Sequence, residues 1–470
     1  MQALLERLRA IVGAPHVLTG GDLTAWEQDW RRRERGRALA VVRPASTQEV
    51  AAVVRACAAA GSSIVPQGGN TGLVVGSTPD GSGTQVVLGT TRMAAIRAID
   101  ADNLTVTVEA GCILQNLQDA AEKAGFLFPL SLAAEGSCTI GGNLGTNAGG
   151  TQVVRYGNAR ELCLGLEVVT PQGEVWDGLS GLRKDNTGYD LRALFIGSEG
   201  TLGIITAATM KLYPLPAAQL TAWAAVPSLD AAVALLGLAH RHLGAGLTGF
   251  EVMNRFALGL VARHMPQLRV PFVERDDFPY CVLLENSDSE SEEHARARFE
   301  ALLETALEAG CVADAVVAES LGQARELWHV RENIPLAQAE EGLNIKHDIS
   351  LPVSRIPAFC AETDALLAQE IAGVRLVNFG HLGDGNLHYN VQAPEQGDPK
   401  EFLRTQEARI NHLVYEAVAR FGGSFSAEHG VGGLKVDELA HYKPPAALAM
   451  MRAIKRALDP QNTMNPGRVL

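Results

Sequence analysis

The sequence predicts an α+β protein of more than one domain. Three observations carry that reading. A strand–helix–strand pattern begins near residue 38, and glycine is dense between residues 61 and 203. Between residues 220 and 425, helical stretches rich in Ala, Glu and Arg alternate with short strands. Helices set among strands in this way suit an antiparallel sheet flanked by helices.

Composition allows this. At roughly 100–200 residues per domain, a chain of 470 residues makes two to four domains. Hydrophobic residues are 47% and charged residues 20%, enough apolar material for more than one core. The net charge of -13 excludes the Lys/Arg excess that a nucleic-acid partner requires. The one basic cluster, Arg31–Arg37, is interrupted by Glu34 and reads as a solvated turn. Cys57, Cys112, Cys138, Cys163, Cys281, Cys311 and Cys360 include no Cys-x-x-Cys pair, so iron–sulfur and zinc-knuckle readings have no support. They read as buried thiols in a reducing, cytoplasmic compartment. The N-terminus lacks the apolar centre of a signal peptide. No apolar run reaches the roughly 18 residues of a membrane span.

The elements follow in order. Residues 1–35 read as a helical preamble, within an N-terminal segment of 1–38. Residues 38–44 (ALAVVRP) read as a strand. Residues 46–61 read as a helix with Ser46 or Thr47 as its N-cap, Glu49 in its first turn and Gly61 at its stop. Residues 63–69 (SIVPQGG) read as a strand entering a turn. Two prolines in YPLPAAQ, after Leu212, mark a domain boundary. The expected domains are then 39–215, 216–425 and a C-terminal segment, 426–470. In the second, helices are expected at 228–243, 288–310, 319–328 and 401–421, and a strand at 279–286.

Two glycine-rich loops stand out, Pro66–Gly72 (PQGGNTG) and Gly141–Gly150 (GGNLGTNAGG). Glycine lets the main chain approach a phosphate, and successive N–H groups form an anion-binding nest. Neither loop fits the P-loop or the dinucleotide fingerprint. A single such loop reads more readily as a tight turn. A third cluster, Gly197–Thr206 (GSEGTLGIIT), favours a ligand over three separate turns.

At these segments the chain resembles the FAD-binding domain of the vanillyl-alcohol oxidase/PCMH flavoprotein superfamily. Within it, the chain is similar to the D-lactate and D-2-hydroxyglutarate dehydrogenase branch (FAD-linked oxidase type 4). The matching pieces are 66–79, 129–157, 184–206 and NPGRVL at 465–470. The resemblance implies a PCMH-type domain of two α/β subdomains with FAD between them, plus a substrate, or cap, domain. Pro66, Gly68, Gly69, Asn70, Thr71 and Gly72 would wrap the pyrophosphate. The adenosine and flavin portions would be lined by Pro129, Ser131, Gly136, Ser137, Gly141, Gly142, Asn143, Thr146, Asn147, Gly149 and Gly150. Tyr156, Gly157, Glu199, Gly203, Ile204, Ile205 and Asn465 would complete that lining. Some members attach FAD through a histidine in the first loop; this loop has none, so a non-covalent FAD is expected.

The second informative stretch is Asn378–Asn390 (NFGHLGDGNLHYN). With Asp384-Gly385 as a two-residue hairpin turn, His381 faces His388, and directly opposed Cβ atoms lie about 4.5–5.5 Å apart. Two such imidazoles can chelate a metal or simply stack. Ala427–Gly432 (AEHGVG) adds a Glu beside a His, and two His with a carboxylate suit a catalytic Zn²⁺ or Mn²⁺. Sequence distance leaves open whether Glu428 reaches His381. The resemblance implies that His381, His388 and Glu428 are the ligands, zinc being the usual ion, and that His429 contacts substrate as the catalytic base. It also places substrate-binding cations at Arg331 and Lys346 and a substrate contact at Asn390. Four residues after this arginine, dicarboxylate-specific members carry a hydroxyl residue, where this chain carries Pro335.

These readings converge on an FAD- and metal-dependent D-2-hydroxyacid dehydrogenase acting on D-2-hydroxyglutarate or D-malate. Electrons would pass to an electron-transfer flavoprotein, a quinone or a cytochrome, and a homodimer is the expected assembly. The alternatives are a D-lactate dehydrogenase or glycolate oxidase FAD subunit, an O₂-using flavin oxidase, the superfamily's carbon–oxygen exchange synthase, and an inert flavin-binding subunit.

Overall fold

Ser46 opens the helix Thr47–Ala60: its hydroxyl accepts the Glu49 amide, and Gly61 closes the helix at φ 65. Both are the expected cap signals. The computed structural model that shows this describes residues 1–470. Its chain divides into two units. One comprises Met1–Gly149, Gly157–Pro214 and Glu428–Leu470; the other comprises Gly150–Tyr156 and Leu215–Ala427.

In the first unit, strands Ala38–Val42 and Ile64–Gln67 lie parallel to, and on either side of, Gln85–Gly89. Val50, Val53, Val54 and Cys57 of the intervening helix join Leu4, Leu8 and Val12 of the helix Gln2–Val12 in one core. The preamble is helical only in part. Gly13, at φ 86, ends the first helix, and Val17–Leu18 joins the sheet antiparallel to Ala38–Val42. Pro15, next in line, has no N–H to extend a helical ladder.

A second sheet in this unit is wholly antiparallel. It runs Ile96–Asp100, Thr105–Glu109, Ile204–Lys211, Cys163–Val169, Val175–Gly178. Buried Glu167 ties the helix Thr47–Ala60 to it, accepting the Thr47 hydroxyl at 2.5 Å and the Thr206 hydroxyl at 2.8 Å. Burial alone would raise this carboxyl, but the bonds from Thr47, Arg97 and Thr206 prevail and hold it below its ordinary value. The chain's end packs on the same unit: Ile64 donates to the Thr463 carbonyl and Asn465 to the Ile64 carbonyl.

The second unit is a single antiparallel sheet. Its order is Asp314–Val317, Ala218–Val226, Tyr280–Asp288, Leu247–Asn254, Arg375–Gly380, Asn386–Gln392, Asn344–Ile345, with Asp348–Ser350 also paired to Asn386–Gln392. Helices form at Leu229–Leu243, Glu292–Glu308, Leu321–Glu332 and Pro399–Arg420, within a few residues of the expected stretches. All seven cysteines are buried and unbonded.

Two local expectations are corrected. The second glycine segment is not an open loop: Ile140–Thr146 is a helix, capped by the Thr139 hydroxyl on the Gly142 amide and stopped by Asn147 at φ 52. The hairpin at Asp384-Gly385 is not two residues long. His388 pairs with Phe379, and residues 381–385 wind into a turn in which the Asp384, Gly385 and Asn386 amides all point to the His381 carbonyl. Leu382, wholly buried, draws this turn inward.

Candidate active site

The three glycine segments meet around one open cleft of about 150 Å³ in the first unit. Its wall includes Pro66–Gly72, Gly141–Asn143, Thr146, Glu199, Gly203–Ile205 and His429. The glycines divide into two kinds. A Cβ on Gly68 would lie 2.2 Å from Thr139 Oγ1, on Gly69 2.0 Å from the Ser137 carbonyl oxygen, and on Gly141 2.6 Å from the Ala110 Cβ. These three let protein backbone pack on protein. Gly72 and Gly145 have nothing within 4 Å of a Cβ although both line the cleft, so there the missing side chain leaves room for a ligand.

The polar inventory fits an extended polar cofactor. Thr90 Oγ1 and Asn143 Nδ2 are buried in this wall without a hydrogen-bond partner. A buried polar atom left so costs about 1–3 kcal/mol, which a ligand's polar groups would offset. Asn70 turns its side chain elsewhere. At φ 53 it donates to the Ala25 and Gln28 carbonyls and accepts from Ser77, which shapes the first loop.

Glu199 organises the far end. Its two oxygens accept the Val431 amide at 2.7 Å and the Gly432 amide at 2.8 Å, so it holds the turn that carries His429. Asn465 donates to the Glu199 carbonyl and to that of Gly76. Burial pushes the Glu199 carboxyl up, against the pull of those two amides.

A second array lies in the sheet of the other unit. Glu251, on Leu247–Asn254, is wholly buried. Its Oε1 lies 2.7 Å from His381 Nδ1, and its Oε2 accepts Arg331 Nε at 2.8 Å with Nη2 of the same ion pair 2.7 Å away. Burial disfavours its charge, but the neighbouring His381 and Arg331 outweigh that and hold the carboxyl well below its ordinary value. The Phe379 ring separates the array's members: Arg331 sits 4.8 Å above it and the His388 ring is 4.9 Å away. The His381 and His388 rings are 5.7 Å apart, edge to face. Each offers a ring nitrogen within 4.8 Å of the other's.

Asp348 is the register partner of His388, with carboxylate and imidazole 3.9 Å apart, and its carbonyl accepts the Ala427 amide. Arg331 is in the last turn of its helix, and Pro335 is in the first turn of Ile334–Glu341, where proline is at home. Lys346 is half-buried between two short strands. Asn390 holds that segment, accepting the His347 amide and donating to Gln338.

Pro129, Ser131, Gly136, Ser137, Asn147, Gly149, Gly150, Tyr156, Gly157 and Asn465 do not line the cleft. Asn147 instead accepts the Arg160 amide. Lining residues that sequence reasoning missed include Gln67, Thr90, Thr139 and Phe195. Glu251 and Asp348 were missed as well. For Glu251 a signal existed: it is a lone carboxylate in the apolar strand LTGFEVMN.

Residues 38–178 match the family described as FAD binding domain, and residues 215–469 match FAD linked oxidases, C-terminal domain. The chain belongs to the FAD-linked oxidases. It is 39% identical over 463 residues to D-2-hydroxyglutarate dehydrogenase, mitochondrial, of Arabidopsis thaliana, covering 98% of this chain and 80% of that protein. It is 40% identical over 448 residues to D-2-hydroxyglutarate dehydrogenase of Xanthomonas citri pv. viticola, covering 95% of this chain and 92% of that one. Among solved structures, p-cresol methylhydroxylase with substrate bound aligns at a TM-score of 0.79 and 18% identity, covering 100% of this chain and 96% of that one; this is a likeness of fold. This FAD-linked oxidase is thus an α+β oxidoreductase with an FAD-binding domain, as the family resemblance implied. No helix is long and apolar enough to cross a membrane.

Proposed function

We propose that this FAD-linked oxidase is a metal-dependent D-2-hydroxyglutarate dehydrogenase, with D-malate as a second substrate. The observation that carries the reading is the buried Arg331–Glu251–His381 array, which sets a carboxylate-binding guanidinium beside a histidine pair. The names of the two relatives supply the substrate.

The cleft's wall of Pro66–Gly72, Gly141–Asn143 and Gly203–Ile205 would hold FAD non-covalently, there being no histidine in the first loop. Bound FAD supplies a two-electron acceptor at N5 for the hydride that leaves C2 of the substrate. A divalent ion, zinc before manganese, held by His381, His388 and Glu428, would lower the pKa of the substrate hydroxyl. His429 takes the hydroxyl proton, a task for a neutral imidazole of ordinary pKa near 6.5. Arg331 clamps a carboxylate, with Lys346 as a second point charge and Asn390 alongside. C2 loses a hydride and O2 a proton, leaving the 2-oxo acid. The two electrons then go to an external flavoprotein, quinone or cytochrome. We place the enzyme in the cytoplasm, as a homodimer, on the strength of its unbonded thiols and the expected family assembly.

One observation favours a second reading, D-lactate oxidation as in a D-lactate dehydrogenase or glycolate oxidase FAD subunit. Pro335 offers no side-chain donor for a distal carboxylate. A dye-coupled assay of both D- and L-2-hydroxyglutarate, malate and lactate decides between them. The proposal expects the highest kcat/KM with D-2-hydroxyglutarate and strong loss on chelation. Preference for D-lactate would establish the second reading, and hydrogen peroxide formation without dye would establish an oxidase.

A further inference from the structure

We infer that Glu251 is a positioning residue that couples the histidine pair to the carboxylate-binding arginine. The inference rests on the metal and substrate roles proposed above for His381 and Arg331, and concerns a residue that neither touches substrate nor binds the ion.

Glu251 comes from the middle of the sheet, where Val252 pairs with Gly380 and Met253 with Phe379 on the strand that leads directly to His381. It is wholly buried, and each of its oxygens serves a different partner. Oε1 faces His381 Nδ1. An ionised carboxylate only accepts, so Nδ1 carries the proton and Nε2 is the acceptor nitrogen, the form in which imidazole binds a metal. Oε2 takes both Nε and Nη2 of Arg331, which sets the plane of the guanidinium and leaves Nη1 outside the ion pair. Phe379 lies beneath the guanidinium and beside the His388 ring, so the arginine cannot swing without disturbing the second histidine.

One carboxylate therefore fixes a tautomer at one end and a plane at the other. Gln cannot do both. Its single acceptor oxygen serves either His381 or Arg331, and its amide protons then oppose the remaining donor.

The test uses the full-length FAD-loaded protein, freed of metal by chelation and titrated with zinc alone. In Glu251→Gln, zinc affinity is expected to fall about 10–100-fold and the KM for D-2-hydroxyglutarate to rise, while FAD content stays that of the parent. A merely structural role would lower the melting temperature without moving zinc affinity and KM together. Glu251→Asp keeps the charge but shortens the reach, so its losses should be smaller than those of Gln in both measures. It also serves should the Gln chain fail to fold. Parental zinc affinity and KM in whichever of the two variants folds would overturn the inference. A parent chain that takes up no zinc, or a His388→Ala chain that takes up as much as the parent, would instead contradict the metal reading itself.

Discussion

His429 and Glu199 show how single residues divide the work in the first unit. His429 lines the cleft, while the Glu199 carboxylate holds the Val431 and Gly432 amides just beyond it, so the imidazole is carried on a braced turn. If His429 is the base, His429→Gln should keep its FAD and lose about 10²–10⁴ in the rate of flavin reduction, the usual contribution of a positioned general base. Stopped-flow absorbance gives that rate, and a loss below tenfold would remove His429 from the role. In the other unit, the H-x6-H spacing pointed to His381 and His388, and the structure brings their rings together. Glu251 was not legible because a strand pattern is read for its apolar face, and one carboxylate there looks like noise. Only the tertiary packing shows that it meets Arg331, which lies on the helix Leu321–Glu332, 80 residues away.

Helices and turns were legible where capping chemistry is local. Ser46 and Gly61 bound their helix as the sequence indicated. Glycine density, by contrast, was ambiguous: it marked backbone approach without saying to what. The structure assigns Gly69 to protein packing and leaves Gly145 facing open space. The two should therefore respond in opposite ways to alanine. Gly145→Ala, inside a helix, should stabilise the cofactor-free protein by about 0.5–1 kcal/mol yet weaken FAD binding. Gly69→Ala should lower the melting temperature of the cofactor-free protein itself. Calorimetry on flavin-stripped protein, followed by FAD titration, separates the two, and equal destabilisation by both would refute the division. The hairpin register escaped sequence reasoning for a similar reason. The favoured turn residues are present, and Gly385 does take φ 86, but buried Leu382 outbids the two-residue turn.

Across the whole molecule, the chain's last residues are as much a part of the first unit as its first strands. Asp459, buried, accepts Lys455 at 2.6 Å together with the Thr463 and Met464 amides, and Lys455 also reaches the Thr201 carbonyl. Burial alone would raise this carboxyl, but Lys455 and the two amides hold it below its ordinary 3.8. A lowered folded-state pKa stabilises above the unfolded value and ceases to do so as pH falls through the folded one. Asp459→Asn should accordingly cost about 1–3 kcal/mol near neutrality, and its melting temperature should converge on the parent's as pH drops below 3.8. A gap that stays constant with pH would exclude the ion pair as its source. The α+β class was legible from helical stretches alternating with strands, and the family from ordered motifs within residues 66–206 and at 465–470. What the motifs do not carry is the reacting substrate, which the proposed function assigns to Arg331, Lys346 and Pro335 rather than to the glycine segments. Anaerobic mixing of the FAD-loaded protein with each enantiomer of 2-hydroxyglutarate tests that most directly. The account predicts rapid loss of oxidised-flavin absorbance with the D form and none with the L form. Bleaching by the L form alone, or by neither, would contradict it.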